Sequence, residues 1–274
     1  MNPQTILKPY FKHYPQHQEA LNKLNAILSY QIDLAHRVDP TWKIDRAAAL
    51  AQWRVGRPLL ADNPMPVSPI LFLDALAGLQ DLFDEDSPLA RATALMLQTE
   101  TLSPTNVANF LEDLPASGRQ RITDLAQDIK ADEKSVALLL RTALAPLLAR
   151  QAAPAREGLS QSGWKRGICP VCGSEPEMAR LDQEHGQRTL ACFWCQTEWS
   201  FPRLACHHCQ KNDGEGLSFF VVEGDAAHRV DCCDSCHHYI KTIDERHLSY
   251  TPNLLVEDFL TVHLDELARK EGCR

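Results

Sequence analysis

Cys169-Pro-Val-Cys172, Cys192-Phe-Trp-Cys195, Cys206-His-His-Cys209 and Cys233-Asp-Ser-Cys236 place four Cys-x-x-Cys pairs within 68 residues. A two-residue spacer lets a tight turn present two sulfurs to one ion, so each pair is half of a tetrahedral site. Four halves make two sites. A single pair would read equally well as a redox dithiol. Four in succession, separated by strand-like sequence, read as metal ligands.

The intervening segments indicate which halves combine. Glu177 to Asp182 and Gln187 to Cys192 flank the polar turn Gln183-Glu-His-Gly186. Leu217 to Val222 and His228 to Cys232 flank the turn Glu223-Gly-Asp-Ala226. Both read as strand, turn, strand. A hairpin brings together the residues just outside its ends, which favours joining the first pair with the second and the third with the fourth. A cross-braced pairing is the alternative the spacing leaves open. Gly173, directly after the first pair, suits a turn whose backbone N–H groups point at sulfur. Cys233 keeps the two-residue spacing to Cys236, so Cys232 is read as a spare thiol and Cys273 as an unpaired surface cysteine.

The chain has 274 residues, 44% hydrophobic and 23% charged, an ordinary composition for a globular protein of one large or two medium domains. No apolar run reaches the roughly 18 residues that span a bilayer, and the first residues lack an export signal, so a cytoplasmic location is expected. In that compartment cysteines serve as metal ligands more readily than as disulfides. Net charge is −8. Between Trp164 and Thr251 there are nine Lys/Arg against thirteen Asp/Glu, and eight thiolates with two divalent ions would add further negative charge. A nucleic-acid-binding ribbon needs a basic face to displace phosphate counterions, which weighs against nucleic acid as a partner.

Upstream, the sequence is helical. Leu21, Leu24, Leu28, Ile32 and Ala35 form one stripe over His17 to Arg37, and a second helix is expected over Asp45 to Arg54. Ser68-Pro69, Ser87-Pro88 and Ser103-Pro104 each pair a hydroxyl cap with a proline in the first turn. The helix after Ser87 is apolar nearly all round and is expected to be central. A short helix is expected after Pro104 and another over Arg119 to Lys130. Asp132 caps a helix striped by Val136, Leu139, Leu140, Ala143, Leu144 and Leu147, with Pro146 disturbing its last turns. Arg150 to Gly163 reads as a linker. Thr251-Pro252 opens a final helix carrying Val256, Leu260, Leu264 and Leu267. The expected organisation is α+β and multidomain. A helical domain with linker covers 1–163, ribbons cover 164–204 and 205–250, and a C-terminal helix covers 251–274.

There is no phosphate-cradling loop, since Asp213-Gly-Glu-Gly216 has neither the spacing nor the Lys of one. No nucleophile elbow or His-Glu-x-x-His motif is present. His207, His208, His237 and His238 sit in or beside the pairs, but four cysteines already complete a tetrahedron. Closed four-ligand sites are structural, whereas hydrolytic zinc keeps an open position. No catalytic residues are therefore assigned.

Longer strings carry a family resemblance: Cys169-Pro-Val-Cys-Gly-Ser-Glu-Pro176, Leu190-Ala-Cys-Phe-Trp-Cys-Gln-Thr-Glu-Trp199, Cys206-His-His-Cys209 and Cys233-Asp-Ser-Cys-His-His-Tyr-Ile-Lys241. In order and spacing they resemble the FdhE family, bacterial formate dehydrogenase accessory proteins. Glu198-Trp199 and Tyr239-Ile-Lys241 are the specific parts; the helical half and Gly56-Arg-Pro-Leu-Leu60 resemble the family more loosely. The resemblance implies a cytoplasmic assembly factor that contacts the catalytic subunit of a respiratory formate dehydrogenase before export. It implies two rubredoxin-like sites able to hold iron. Cys169, Cys172, Cys192 and Cys195 would form one, and Cys206, Cys209, Cys233 and Cys236 the other.

Three functions compete: a client-binding maturation factor, an iron redox protein, and a zinc-ribbon nucleic-acid adaptor. Tetrahedral thiolate suits iron or zinc alike; the resemblance alone favours iron. Aromatic side chains are enriched where partners dock, which nominates Trp194 and Trp199. Self-association is a further expectation.

Overall fold

The computed structural model describes residues 2–161, 163–212 and 216–274, so most of the Asp213-Gly-Glu-Gly216 segment lies outside the described residues. The fold is α+β. Nine α-helices are described, and they run α1 Pro3–His13, α2 Gln18–His36, α3 Arg46–Arg54, α4 Pro69–Ala77, α5 Pro88–Gln98, α6 Val107–Asp128, α7 Glu133–Ala152, α8 Leu254–Leu260 and α9 Val262–Lys270. The strands are β1 Met178–Leu181, β2 Arg188–Ala191, β3 Glu198–Ser200, β4 Leu217–Val221, β5 His228–Cys233 and β6 Tyr239–Asp244. They fall into two compact units. One comprises residues 1–44 and 60–156; the other comprises 45–59 and 157–274.

In the first unit α7 is the central element, packed against α2, α4, α5 and α6. Its stripe from Val136 to Leu148 is buried almost continuously. Pro146 sits inside the helix and cannot donate to the Thr142 carbonyl four residues earlier. Gln31 Nε2 donates to that carbonyl instead, at 3.3 Å. The helix is thus tolerated because a neighbour satisfies the acceptor that proline leaves open. Ser68 and Ser87 cap α4 and α5 by accepting from Leu71 N and Ala90 N.

Several sequence expectations need correction. Ser103 does not cap a helix: its hydroxyl pairs with Thr105 Oγ1, and α6 starts at Val107. The two helices expected beyond Pro104 are one, running through Pro115 and Gly118. α1, capped by Asn2, was not anticipated. α5 is less central than its composition suggests, since Leu95 is exposed. The linker reading fails at its start. Gln151 is a buried residue of α7 whose Oε1 accepts from Thr41 N and Trp42 N and whose Nε2 donates to the Asp39 and Pro66 carbonyls. A 3-10 helix then covers Pro154–Gln161.

The second unit holds one mixed sheet of order β3-β2-β1-β6-β5-β4. Both expected hairpins are present, with Met178 opposite Ala191 and Leu217 opposite Cys233. The two tandem ribbons share one sheet, because β1 pairs in parallel with β6 and joins them edge to edge. Residues 45–59, assigned from sequence to the helical domain, belong here. Trp53 Nε1 and Leu59 N both donate to the carbonyl of Pro170, inside the first cysteine turn.

The final helix is in fact two. Asn253, not Thr251, caps α8 by accepting from Leu255 N and Val256 N, and the chain breaks at Thr261 before α9. These helices cover one sheet face. Met178, Ala191, Phe193 and Ile243 pack with Leu254, and Val230 and Cys232 pack with Leu264, Ala268 and Cys273. Each large apolar side chain so buried contributes roughly 1.5–3 kcal/mol. Cys232, expected to be a spare thiol, and Cys273, expected to be an unpaired surface cysteine, are both buried and form a disulfide that ties the end of α9 to β5.

Charge also fastens this layer. Lys241, 3% exposed, donates to Asp258 and Asp265, and Tyr239 donates its hydroxyl proton to Asp265. The Tyr239-Ile-Lys241 string is thus a helix anchor. His228 lies between Asp225 and Glu257, 2.8 Å from each. Burial opposes its charge, but the two carboxylates outweigh it and raise its pKa from 6.5 to about 9. A raised pKa means the stabilisation is complete below about pH 6.5 and is lost as pH rises through about 9. The shift corresponds to about 3 kcal/mol at most. Wild type should therefore exceed His228→Gln in unfolding free energy at pH 6, with the gap closing by pH 10. Denaturant titrations across that range test it; a gap independent of pH contradicts it.

Candidate metal centres

All four cysteine turns share one backbone design. The N–H of the first cysteine donates to the carbonyl five residues on: Cys169 to Ser174, Cys192 to Thr197, Cys206 to Lys211 and Cys233 to His238. The residue directly after the second cysteine adopts positive φ in every case: Gly173 at 83°, Gln196 at 53°, Gln210 at 58° and His237 at 60°. This left-handed residue turns the chain back so that both sulfurs face one point. Gly173 signals it from sequence. Gln196, Gln210 and His237 do not, because a non-glycine left-handed residue has no distinctive side chain.

The turns bring the sulfurs together in two groups, Cys169/Cys172/Cys192/Cys195 and Cys206/Cys209/Cys233/Cys236, each within 4.8 Å mutually. In the first group Cys169 Sγ lies 3.5 Å from Cys195 Sγ, Cys172 Sγ lies 3.5 Å from Cys192 Sγ, and Cys195 Sγ lies 3.8 Å from Cys192 Sγ. In the second, Cys206 to Cys236 is 3.6 Å and Cys209 to Cys233 is 3.8 Å. A tetrahedral ion with metal–sulfur bonds of about 2.3 Å requires sulfur–sulfur edges of about 3.8 Å. The donor sets therefore fit a divalent ion each. The pairing is first with second and third with fourth, not cross-braced.

The two centres differ in exposure. All four cysteines of the first are buried, whereas in the second Cys209 is exposed and Cys236 half-buried. Burial pushes the Cys169 and Cys192 thiols well up from their ordinary range. At Cys195 burial acts in the same direction, but donors including the other thiols and Thr197 Oγ1 reverse it. Burial raises the Cys206 thiol to about 12. At Cys233 burial is overcome by the Cys236 and Ser235 N–H groups, which bring it down to about 7. Four ionised sulfurs at this depth need a compensating cation.

The first centre is braced from several directions. Pro170 in its turn is held by Trp53 and Leu59, and a Cβ on Gly173 would press on Pro58 at 3.2 Å. Trp199 is 3% exposed, with Nε1 donating to the Arg166 carbonyl. It is a core residue and cannot be the surface contact expected of it; Trp194 is half-buried. Glu198 pairs with Arg180 at 2.8 Å. No histidine joins either sulfur group among the described residues. His208 Nδ1 lies 2.8 Å from Glu175, and its ring stacks on His238 at 3.4 Å. His207 is buried, and burial beside the Arg188 charge lowers its pKa to about 3. Gly167 lies so close to the His207 carbonyl that a Cβ would run into it. The chain entering the first centre therefore abuts the third cysteine turn, a contact no local pattern signals.

Comparison with known proteins covers the cysteine-bearing part of the chain and its C-terminal helices. Residues 168–203 match the family described as FdhE, central domain, and 204–274 match FdhE, C-terminal domain. A protein FdhE homolog from Aquifex aeolicus (strain VF5) is 25% identical over 94% of this chain and 87% of its own length. One from Edwardsiella ictaluri (strain 93-146) is 29% identical over 65% of this chain, and the chain spans 60% of that relative. With protein FdhE of Escherichia coli (strain K12 / DH10B), identity is 30% over 41% of this chain and 37% of that one. The crystal structure of the FdhE protein from Pseudomonas aeruginosa shares the fold, with TM-score 0.60, 20% identity, and coverage of 100% of this chain and 91% of that one.

Two measurements follow from the geometry. Elemental analysis of protein purified without air should give two ions per chain, falling to one in Cys172→Ala; two ions retained in that variant would contradict the first centre. Gly167→Ala should destabilise the second unit by more than about 3 kcal/mol, because a backbone carbonyl cannot yield as a side chain can. Denaturant melts followed at the sheet would show it, and an unchanged midpoint would contradict the packing.

Proposed function

The chain belongs to the FdhE family of formate dehydrogenase accessory proteins, and from that premise we propose that it binds the catalytic subunit of a respiratory formate dehydrogenase. The binding takes place in the cytoplasm, before export, and supports assembly rather than catalysing a reaction of its own. The observation that carries this reading is the pair of closed four-cysteine centres in a sheet whose sequence spans both family segments. Closed centres hold a surface in shape and leave no open position for a substrate. Among the described residues no helix is long and apolar enough to cross a membrane. The acidic balance of the chain disfavours nucleic acid as the partner.

The ions are held by Cys169, Cys172, Cys192 and Cys195, and by Cys206, Cys209, Cys233 and Cys236. We favour iron, with zinc as the alternative. Bound iron would supply one-electron redox chemistry, and the exposure of Cys209 favours the second centre for exchange with an outside partner. Visible spectra recorded before and after mild oxidation separate the metals, since ferric tetrathiolate is red whereas ferrous and zinc centres are nearly colourless.

Pull-down with the catalytic subunit, comparing wild type, Trp194→Ala and Cys192→Ala/Cys195→Ala, tests the reading. Wild type should retain the subunit, and the double variant should lose most of it. No retention by wild type would end the maturation reading. Equal retention by all three would move the contact away from the first centre.

A further inference from the structure

The sheet has two edges, and they are protected differently. At one end β3 is only three residues long and carries the charged Glu198. Short and charged edges resist pairing with other chains. At the other end β4, Leu217-Ser-Phe-Phe-Val221, pairs among the described residues with β5 alone. It contains no charge, no proline and no glycine, so its outward N–H and C=O groups form an unguarded template.

The strand's side chains divide cleanly. Phe220 turns toward the face covered by α9 and packs near Val230 and Leu264. Leu217, Phe219 and Val221 point to the opposite face, where Phe219 is 62% exposed and Val221 47%. The Phe219 ring is supported from behind by the Arg229 guanidinium at 4.9 Å, itself paired with Asp231. An ordered apolar strip beside an open sheet edge suits addition of a strand from another chain.

Charge identifies the occupant. Asp213 and Glu215 precede the strand in sequence and Glu223 and Asp225 follow it, against one basic residue, Lys211, whose ammonium lies near Gly216. Glu223 and Asp234, at the two ends of the β4–β5 ladder, are exposed. A second copy of this chain, paired antiparallel about Phe219, would set acidic residues against acidic ones at both ends of the new ladder. A segment with a neutral core and Lys/Arg flanks meets opposite charge there.

We propose that β4 is a docking strand for an extended peptide segment, apolar at alternate positions and flanked by basic residues, supplied by a partner protein. Leu217 stands opposite Cys233, so the docked segment would run alongside the second cysteine centre, at the end where Cys209 is exposed. The inference stands apart from the client assignment above: the probes below contain no formate dehydrogenase sequence, so either can fail alone.

The test uses full-length metal-loaded protein and a fluorescent peptide, Lys-Lys-Val-Thr-Val-Thr-Val-Lys-Lys, followed by anisotropy. It should bind at least about tenfold more tightly than the same core with Glu flanks. Phe219→Thr/Val221→Thr, which keeps charge and strand preference at exposed positions, should weaken it by about tenfold with metal content unchanged. N-methylation of the valines or of the threonines should abolish binding for one set and spare it for the other, because alternate N–H groups face opposite edges. No binding, equal binding of the Glu-flanked peptide, or equal binding by the variant would overturn the proposal. So would wild-type dimerisation lost in the variant, which would assign the strand to a second copy.

Discussion

Eight sulfurs gathered into two tight groups are the constraint on which the second unit depends. At the observed separations their thiolates would repel strongly, and burial pushes Cys169 and Cys192 toward the neutral thiol. A divalent ion reverses the balance by replacing water as the partner of each thiolate. The backbone serves the same end: every turn spends a left-handed residue to aim two sulfurs at the same point. The strands between the turns are short, four residues each in β1 and β2. A hairpin of such strands has little independent stability, so ion binding is expected to be coupled to folding of the ribbons.

The remaining stability comes from what covers the sheet. α8 and α9 place apolar side chains on one face, and the buried charges of Lys241 and His228 are each held by two carboxylates. Removing one partner from such a group is costly because it strands a buried charge. These contacts fix the helices in one position, and with them the β6 strand that fuses the two ribbons. Tyr239-Ile-Lys241 therefore fastens the sheet to α9, and Trp199 fills the core beneath the first centre.

The sequence was most legible where the determinants are local. Two-residue cysteine spacing, turn residues between apolar runs, and serine–proline caps each act within a few positions, and the hairpins and the starts of α4 and α5 follow from them. Contacts made across long separations left no such trace. Met178 pairs with Lys241, and Trp53 reaches Pro170, with no periodicity to announce either. Cys232 and Cys273 looked redundant once the spacing rule had chosen Cys233, yet the fold of α9 brings them together. The helix through Pro146 survives because Gln31 satisfies Thr142 from another helix, which no local rule about proline could foresee.

The central claim is that metal and sheet form together while the helical unit stands by itself. Amide hydrogen exchange on chelator-stripped protein, read segment by segment, tests this most directly. The account predicts that β1, β2, β5 and β6 lose their protection while α2 and α7 keep theirs, and that restoring the ion restores the strands. Strands that stay protected without metal would contradict it.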